Sequence, residues 1–139
     1  MSMSRAAKIL SILFLIPFIL IVGSSCDKGS NSSEDFMIQV DSISMPSSVS
    51  RNVPFDIKFY GTIGMNGCYS FKTFNRVQKG NDITIESWGN YHSPNGICTE
   101  ALVTMDGIKL TLTLNTPGIY TIIISEPDFS SFSKQITIN

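Results

Sequence analysis

Few residues in this chain could act as a nucleophile or a general base, and they form no recognised catalytic pattern. His92 is the only histidine, and it lies in the segment 88–96 among glycine, asparagine and proline. A catalytic triad needs a histidine beside a nucleophile and an orienting acid. No G-x-S-x-G nucleophile turn occurs in the chain. We therefore predict no catalytic residue and no enzyme activity.

Carboxylates could act in pairs, as they do in glycosidases, or hold a metal ion. Glu86 and Glu100 flank the aromatic segment 88–96. Eleven acidic residues on one small domain produce such neighbours by chance, however, so this pair is weak support for hydrolysis. The aspartates are scattered, and no D-x-[DN]-x-[DN]-G calcium loop is present. We predict no metal site and no cofactor.

Aromatic side chains offer a better case for binding. Trp88, Tyr91 and His92 stand in the segment 88–96, whose Gly, Asn and Pro content predicts a loop. Flat rings beside amide groups suit the faces and hydroxyls of sugars, or a protein hot spot. We therefore predict a ligand site at these three residues, with Trp88 as a cap on the core as the alternative. Phe129-Ser-Ser-Phe132 is a second candidate, in which at least one ring is expected to face water.

Residues 1–25 have the order of a secretion signal. Arg5 and Lys8 precede the apolar run 9–22, which is shorter than the roughly 20 residues that a membrane-spanning helix needs. Small residues at 23–25 then precede Cys26. This pattern resembles the lipobox of bacterial lipoproteins, although Gly23 stands where that pattern has a leucine-like residue. The alternative is a plain secreted protein whose cysteine is incidental.

The lipobox resemblance implies that Cys26 is acylated, with palmitate-type chains, and becomes the mature N-terminus. The acyl chains would anchor the protein to a membrane of the bacterial cell envelope, and we expect the outer membrane. Export would also place Cys68 and Cys98 in an oxidising compartment, where a disulfide is the default. Two free thiols or a shared metal are the alternatives, but two cysteines with one histidine lack the spacing of a zinc site.

Composition limits the partners of the chain and its domain count. Only 15% of the residues are charged, and no run of Lys and Arg occurs, so nucleic-acid binding is disfavoured. The Ser-rich stretch up to Asp35 predicts a flexible linker. The predicted organisation is a signal peptide at 1–25, a lipidated N-terminus with its linker at 26–35, and one β domain at 36–139.

Apolar residues alternate with polar ones through most of the chain, which predicts β-strands. The clearest case is 108–114, where Ile108, Leu110, Leu112 and Leu114 share one face. Turn pairs such as Asn95-Gly96 and Asp106-Gly107 divide these runs. We predict an all-β fold, an antiparallel sandwich of seven or eight strands, with a closed barrel as the alternative. The strands are expected near 36–43, 53–62, 67–77, 82–88, 98–105, 107–114, 118–125 and 132–138.

The segment 117–124, Pro-Gly-Ile-Tyr-Thr-Ile-Ile-Ile, resembles the P-G-x-Y-x-[VI]-x-[VI] strand of many bacterial immunoglobulin-like domains. The resemblance implies an immunoglobulin-like sandwich in which Tyr120 packs at the corner of a sheet. As a whole, the chain is similar to small bacterial lipoproteins with one such domain. In addition, Asp41-Ser42-Ile43 resembles the short D-[ST]-[apolar] acceptor for O-glycosylation in some Gram-negative bacteria.

From these features we expect a lipid-anchored envelope protein whose domain binds or adheres without catalysis, with a protein or a glycan as its ligand. A structural accessory subunit of a larger envelope assembly is the alternative. An inhibitor of a secreted protease is a weaker one.

Overall fold

The computed structural model describes residues 32–139, which form nine β-strands and one short 3-10 turn at Pro94–Gly96. No helix among these residues has the length and apolar character needed to cross a membrane. The strands are β1 (Ser32–Met37), β2 (Ser42–Ser44), β3 (Ser48–Val49), β4 (Phe55–Gly64), β5 (Tyr69–Lys79), β6 (Asp82–Ser93), β7 (Val103–Leu112), β8 (Gly118–Ser125) and β9 (Ser131–Ile138).

The strands form two sheets with the core between them, so the chain is an all-β sandwich. The larger sheet has the order β1-β6-β8-β9-β3, with β5 on the other edge of β6, and the smaller sheet has the order β2-β4-β7. The long strand β6 organises the larger sheet. Residues 82–85 pair in parallel with β8, whereas residues 88–93 pair antiparallel with β1 on the same edge.

The predicted alternation of apolar residues agrees with the burial in the structure. Every second residue of β6, from Ile83 to Ser93, faces the smaller sheet, and the corresponding residues of β4 and β8 point into the same layer. In the stretch 108–114, Leu112 and Leu114 are buried, and Ile108 and Leu110 pack partly buried against the core. Burial of these apolar side chains is the main force that holds the two sheets together.

Several predicted boundaries were wrong, among them the start of the strand predicted at 98–105, which begins only at Val103. Asp106-Gly107 does not make a hairpin turn, because 103–112 is one strand. Asp106 and Ile108 pair with two consecutive residues of β4. Gly107 is therefore an extra residue in a β-bulge, and it has a φ of 75°. A glycine of positive φ serves a bulge as well as a turn, and the pattern alone does not distinguish the two.

Another wrong boundary concerns the predicted loop 88–96. Residues up to Ser93 belong to β6, and only Pro94–Gly96 forms a turn. Strand β1 lies on one side of this stretch and β5 on the other, so its backbone groups are paired in spite of its Gly and Asn content. Likewise, β1 begins at Ser32 instead of 36, because the polar residues before Phe36 pair with β6.

Candidate functional site

Strand β6 separates the three aromatic and imidazole side chains that the sequence places in one site. Trp88 and His92 lie on the outer face of the larger sheet, with Asn90 between them. Tyr91 points to the inner face, where it packs against Tyr69 with ring centroids 4.9 Å apart. The predicted trio therefore contributes to two different surfaces, one outside the sheet and one within the end of the sandwich.

Trp88 forms the wall of a hollow on the outer face. Its ring is half-buried, and its Nε1–H donates a hydrogen bond of 3.0 Å to Glu86 Oε2. The hollow has a volume of about 290 Å³ and is lined by Asp35, Lys72, Thr73, Asn75 and Trp88. An indole face next to a carboxylate, an ammonium and an amide provides both stacking and directed hydrogen bonds. We call this surface the Trp88 hollow.

The charged rim of the Trp88 hollow is held by a small network. The Lys72 ammonium pairs with the Asp35 carboxylate across the sheet. Asn90 Nδ2 donates to Asp35 Oδ1 at 2.8 Å. The hydrogen bond from Lys72, followed by that from Asn90, holds the pKa of Asp35 below its ordinary value. Asp35 is therefore an anion at neutral pH, and the rim presents one fixed pair of opposite charges.

A bulge in β5 places Lys72 at this rim. Phe71 pairs with Gly89 and Thr73 pairs with Trp88, so Lys72 is an extra residue in β5. The bulge also allows Phe71 and Phe74 to face the core together, with ring centroids 4.7 Å apart, although an odd spacing would otherwise put them on opposite faces. The sequence pattern gave no sign of this bulge, and Asp35, Lys72 and Asn75 were missed as site residues.

Tyr91 belongs to a separate aromatic cleft at the end of the sandwich. The cleft has a volume of about 420 Å³ and is lined by Glu34, Phe36, Tyr69 and Tyr91. Two glycines make room for its rings, because a Cβ on Gly64 would lie 2.1 Å from Tyr69 and one on Gly89 would lie 2.5 Å from Phe36. The Tyr69 ring contacts both others, with centroid distances of 5.4 Å to Phe36 and 4.9 Å to Tyr91.

Cys68 and Cys98 form a disulfide beside this cleft, in agreement with the prediction. Their Cα atoms are 5.3 Å apart, and the bond joins the β4–β5 turn to the segment after the 3-10 turn. Gly67 N–H also donates to the Thr99 carbonyl at 2.8 Å, and the Tyr91 hydroxyl lies 3.7 Å from Cys98 Sγ. The disulfide therefore fixes the end of the sandwich next to Tyr91.

The two rings of the second candidate, Phe129-Ser-Ser-Phe132, also lie in different environments. Phe129 is fully exposed at the tip of the β8–β9 hairpin, with a φ of 65°. Phe132 packs against the core.

As for the remaining predicted groups, Cys26 and the signal segment lie outside the described residues. Within 32–139, no cluster of three or more His, Cys, Asp and Glu side chains could hold a metal ion.

Glu126, which the sequence did not single out, is a buried carboxylate beside the β8–β9 hairpin. Its Oε2 accepts a hydrogen bond of 3.0 Å from Val40 N–H, while its Oε1 is buried and has no hydrogen-bond partner among residues 32–139. Burial raises the pKa of Glu126, and the nearby Asp128 and Asp41 raise it further, against the lowering effect of the Val40 hydrogen bond. The charged form of Glu126 is therefore less favourable in the folded chain than in water.

This carboxylate predicts a specific pH dependence of stability. A folded pKa above the unfolded one stabilises the fold at low pH, and this contribution is lost as the pH rises through the folded pKa. We expect the stability of the wild-type chain relative to Glu126→Gln to fall between pH 4 and pH 7, measured by urea denaturation. Asp56→Asn is the control: Lys109 and Thr111 lower the pKa of Asp56 from its ordinary value of 3.8, so its contribution is lost only at lower pH and should stay nearly constant between pH 4 and pH 7. A difference between wild type and Glu126→Gln that stays constant with pH would refute this account.

The two sheets and their shared core define the class of protein as a β-sandwich domain. The sequence model of the ORF11 beta-sandwich domain matches residues 58–137, which is more than half of the chain. The chain therefore belongs to the ORF11 beta-sandwich domain family. The matched range includes Trp88, Lys72 and both disulfide cysteines, whereas Asp35 lies before it. Comparisons with curated proteins and with solved structures gave no match.

Proposed function

We propose that this protein is a lipid-anchored component of the bacterial cell envelope whose sandwich binds a ligand without catalysis, and that the ligand is a glycan held at the Trp88 hollow. The observation that carries the proposal is the half-buried indole of Trp88 on the outer face of the larger sheet, where it lines a hollow beside Asp35, Lys72 and Asn75. A large aromatic ring left accessible among hydrogen-bonding groups is typical of a binding surface.

The chemistry of the hollow favours a sugar over an apolar ligand. A pyranose ring has an apolar face that stacks on an indole, and its hydroxyls both donate and accept hydrogen bonds. Asp35 accepts, Lys72 donates and the Asn75 amide can do both. The volume of about 290 Å³ lies near the lower end of the ~300–1,000 Å³ range of small-molecule sites. One or two sugar units of a longer chain would fill it.

The same groups support binding in preference to hydrolysis. A glycosidase of the common type needs one carboxylic acid that is protonated near neutral pH. The pKa of Asp35 is held low by Lys72 and Asn90, so this carboxylate remains charged. Asp35 is therefore suited to accept hydrogen bonds from sugar hydroxyls, and it is unsuited to act as a general acid.

The anchor part of the proposal depends on the lipobox-like sequence that ends at Cys26. Acylation of Cys26 would hold the domain on a bilayer, and we infer the outer membrane as its location. Intact-mass measurement of the mature chain, purified from membranes, should show an N-terminal Cys26 with added acyl mass. Protease treatment of whole cells, before and after permeabilisation, then tests whether the domain faces the outside.

We further infer an immunoglobulin-like variant of the sandwich. Two features support it. The buried Tyr120 donates its hydroxyl proton to the Thr116 carbonyl at 3.1 Å, as at the tyrosine corner of immunoglobulin folds. In addition, β3 near the start of the domain pairs in parallel with the last strand β9. The parallel pairing of β6 with β8 departs from the antiparallel sheets of that fold, and marks the centre of the larger sheet as the divergent part.

An accessory subunit would need an interface, and the open edge of β5 is the candidate for one. This edge strand carries Lys72, Arg76 and Lys79, and cationic side chains on an edge are a common way to prevent strand pairing. The edge therefore favours a domain that acts alone. Recovery of the chain with a stoichiometric partner from gently solubilised membranes would support the accessory role instead.

Binding is tested by comparing two aromatic deletions. Trp88→Ala should weaken glycan binding on an array by tenfold or more, because central aromatic anchors commonly contribute ~2 kcal/mol or more. Phe129→Ala removes a fully exposed ring from the β8–β9 hairpin and should leave binding unchanged. Both variants should keep the wild-type melting temperature to within a few degrees.

Equal binding by the wild type and Trp88→Ala would contradict the proposed site. If the array shows no glycan while the same Trp88→Ala change abolishes capture of a protein from the cell surface, the hollow is a protein-binding site.

A further inference from the structure

We infer that the end of the domain that carries the disulfide lies against the lipid bilayer to which the chain is anchored. We call this end the disulfide pole and define it by residues 65–68 and 92–102. The inference rests on the acylation proposed for Cys26. It adds a second membrane contact, made by the folded domain itself, and therefore fixes the orientation of the domain on the membrane.

Exposed apolar side chains are concentrated at the disulfide pole. Met65, Ile97 and Leu102 are 77%, 75% and 61% exposed. They are three of the seven large apolar side chains that are exposed in residues 32–139. The Cys68–Cys98 bond and the hydrogen bond from Gly67 N–H to the Thr99 carbonyl tie the segments of Met65 and Ile97 together. The turn that carries Met65 and the segment that carries Ile97 are thus held in fixed relative positions, and Leu102 follows four residues after Cys98.

The chain enters the domain at the same end. Strand β1 begins with Ser32, which pairs with Ser93 at the top of β6. Five residues separate Cys26 from Ser32 in the sequence. A fully extended chain of this length spans at most roughly 20 Å. An acylated Cys26 therefore keeps the start of β1, at the disulfide pole, within that distance of the lipid headgroups, and it sets no such limit for the opposite end of the sandwich.

The charges of the disulfide pole fit an apolar contact with neutral lipid. Residues 65–68 and 92–102 include no lysine or arginine, and their ionisable side chains are His92 and Glu100. Electrostatic attachment to anionic lipids needs a cluster of basic residues, so it cannot supply this contact. Insertion of Ile97, Leu102 and Met65 among the headgroups removes apolar surface from water and requires no cation.

This orientation leaves the Trp88 hollow free. Trp88 lies five residues before Ser93 on β6, which corresponds to about 17 Å along the strand. The hollow opens from the side of the larger sheet and not from its end. A domain standing on its disulfide pole therefore presents Trp88 sideways, above the headgroups, where a glycan can reach it.

Methyl NMR of the mature acylated chain in phosphatidylcholine nanodiscs tests the contact, with a gadolinium chelate on a fraction of the headgroups. We expect the methyl signals of Met65, Ile97 and Leu102 to lose more than half of their intensity relative to a diamagnetic disc. Ile119 is the matched control, because it is 58% exposed beside Asn81 at the opposite end, about 36 Å away along β6. Its signal should keep most of its intensity.

A triple variant, M65S/I97S/L102S, keeps the anchor and removes the apolar surface. The paramagnetic broadening of the backbone amides of 95–99 should fall in this variant to the lower level that the tether alone gives, and I119S should behave like the wild type. Unchanged broadening of 95–99 in the triple variant would show that the tether alone brings this end to the lipid, and would overturn the inference. Equal broadening at Ile119 and Ile97 in the acylated wild type would overturn the inference and leave the anchor in place. Intermolecular contacts at the pole in discs that contain two differently labelled copies would overturn it in favour of a dimer. A mature chain without acyl mass would instead remove the anchor, and the inference would fall with it.

Discussion

Removal of the Cys68–Cys98 disulfide should lower the stability of the domain by about 3–4 kcal/mol. The two cysteines are 30 residues apart, and the chain-entropy model gives roughly this loss for a loop of that length. The bond also joins two surface segments, the β4–β5 turn and the residues after Pro94–Gly96, and it reinforces the hydrogen bond from Gly67 N–H to the Thr99 carbonyl. Urea denaturation of Cys68→Ala/Cys98→Ala against the oxidised wild type, both without reductant, measures the effect.

Reduction provides the matched control for this prediction. Dithiothreitol should bring the wild type to the midpoint of the double variant and leave the double variant where it is. A wild type that melts at the same temperature with and without reductant would show that the bond does not stabilise the fold. The aromatic cleft should loosen as well, because Tyr91 lies against Cys98.

Phe59→Ala should be the most destabilising single change in the core, with an expected loss of about 3–5 kcal/mol. Phe59 is completely buried in β4 and packs against Phe74 with ring centroids 4.4 Å apart. Phe74 comes from the larger sheet, so the pair joins the two layers. Alanine leaves a cavity between the sheets that neither sheet can close by a small shift.

Phe129→Ala removes the same side chain from a position that is fully exposed, so it serves as the control. Its effect on stability should stay within about 0.5 kcal/mol. If Phe59→Ala cost no more than Phe129→Ala in equilibrium unfolding, the packing of the two sheets described above would be incorrect.

The sequence predicts the β-sandwich well because its signals are local. Alternation of apolar residues in β4, β6 and β8 follows directly from the period of two in a strand. The Cys68–Cys98 pair followed from counting cysteines in a chain that we expect to be exported. Neither inference needs knowledge of which strands are neighbours.

Features that depend on strand neighbours escaped prediction. Trp88 to Ser93 has the composition of a loop, yet it is a strand because β1 and β5 pair with it on either side. The bulge at Gly107 needs the register of β4 to be seen. Once β6 is known to continue to Ser93, its alternation separates Tyr91 from Trp88 and His92.

The candidate site was therefore found in part. Trp88 was identified from its residue type, but its neighbours Asp35, Lys72 and Asn75 come from two other strands. Lys72 reaches the hollow through a bulge in β5 that leaves no mark in the sequence. Asp35 was assigned to a linker because its stretch is polar, and polar residues form a strand when a partner strand is present.

Fluorescence titration of the sole tryptophan tests the central claim most directly. Trp88 is the only tryptophan of the chain, so its emission reports the hollow alone. A glycan selected on the array should produce a saturable blue shift as the indole loses contact with water, and calorimetry should show at least tenfold weaker binding for Trp88→Ala. Saturable glycan binding that leaves the emission of Trp88 unchanged, with equal affinity for Trp88→Ala, would contradict the account and place the site elsewhere on the domain.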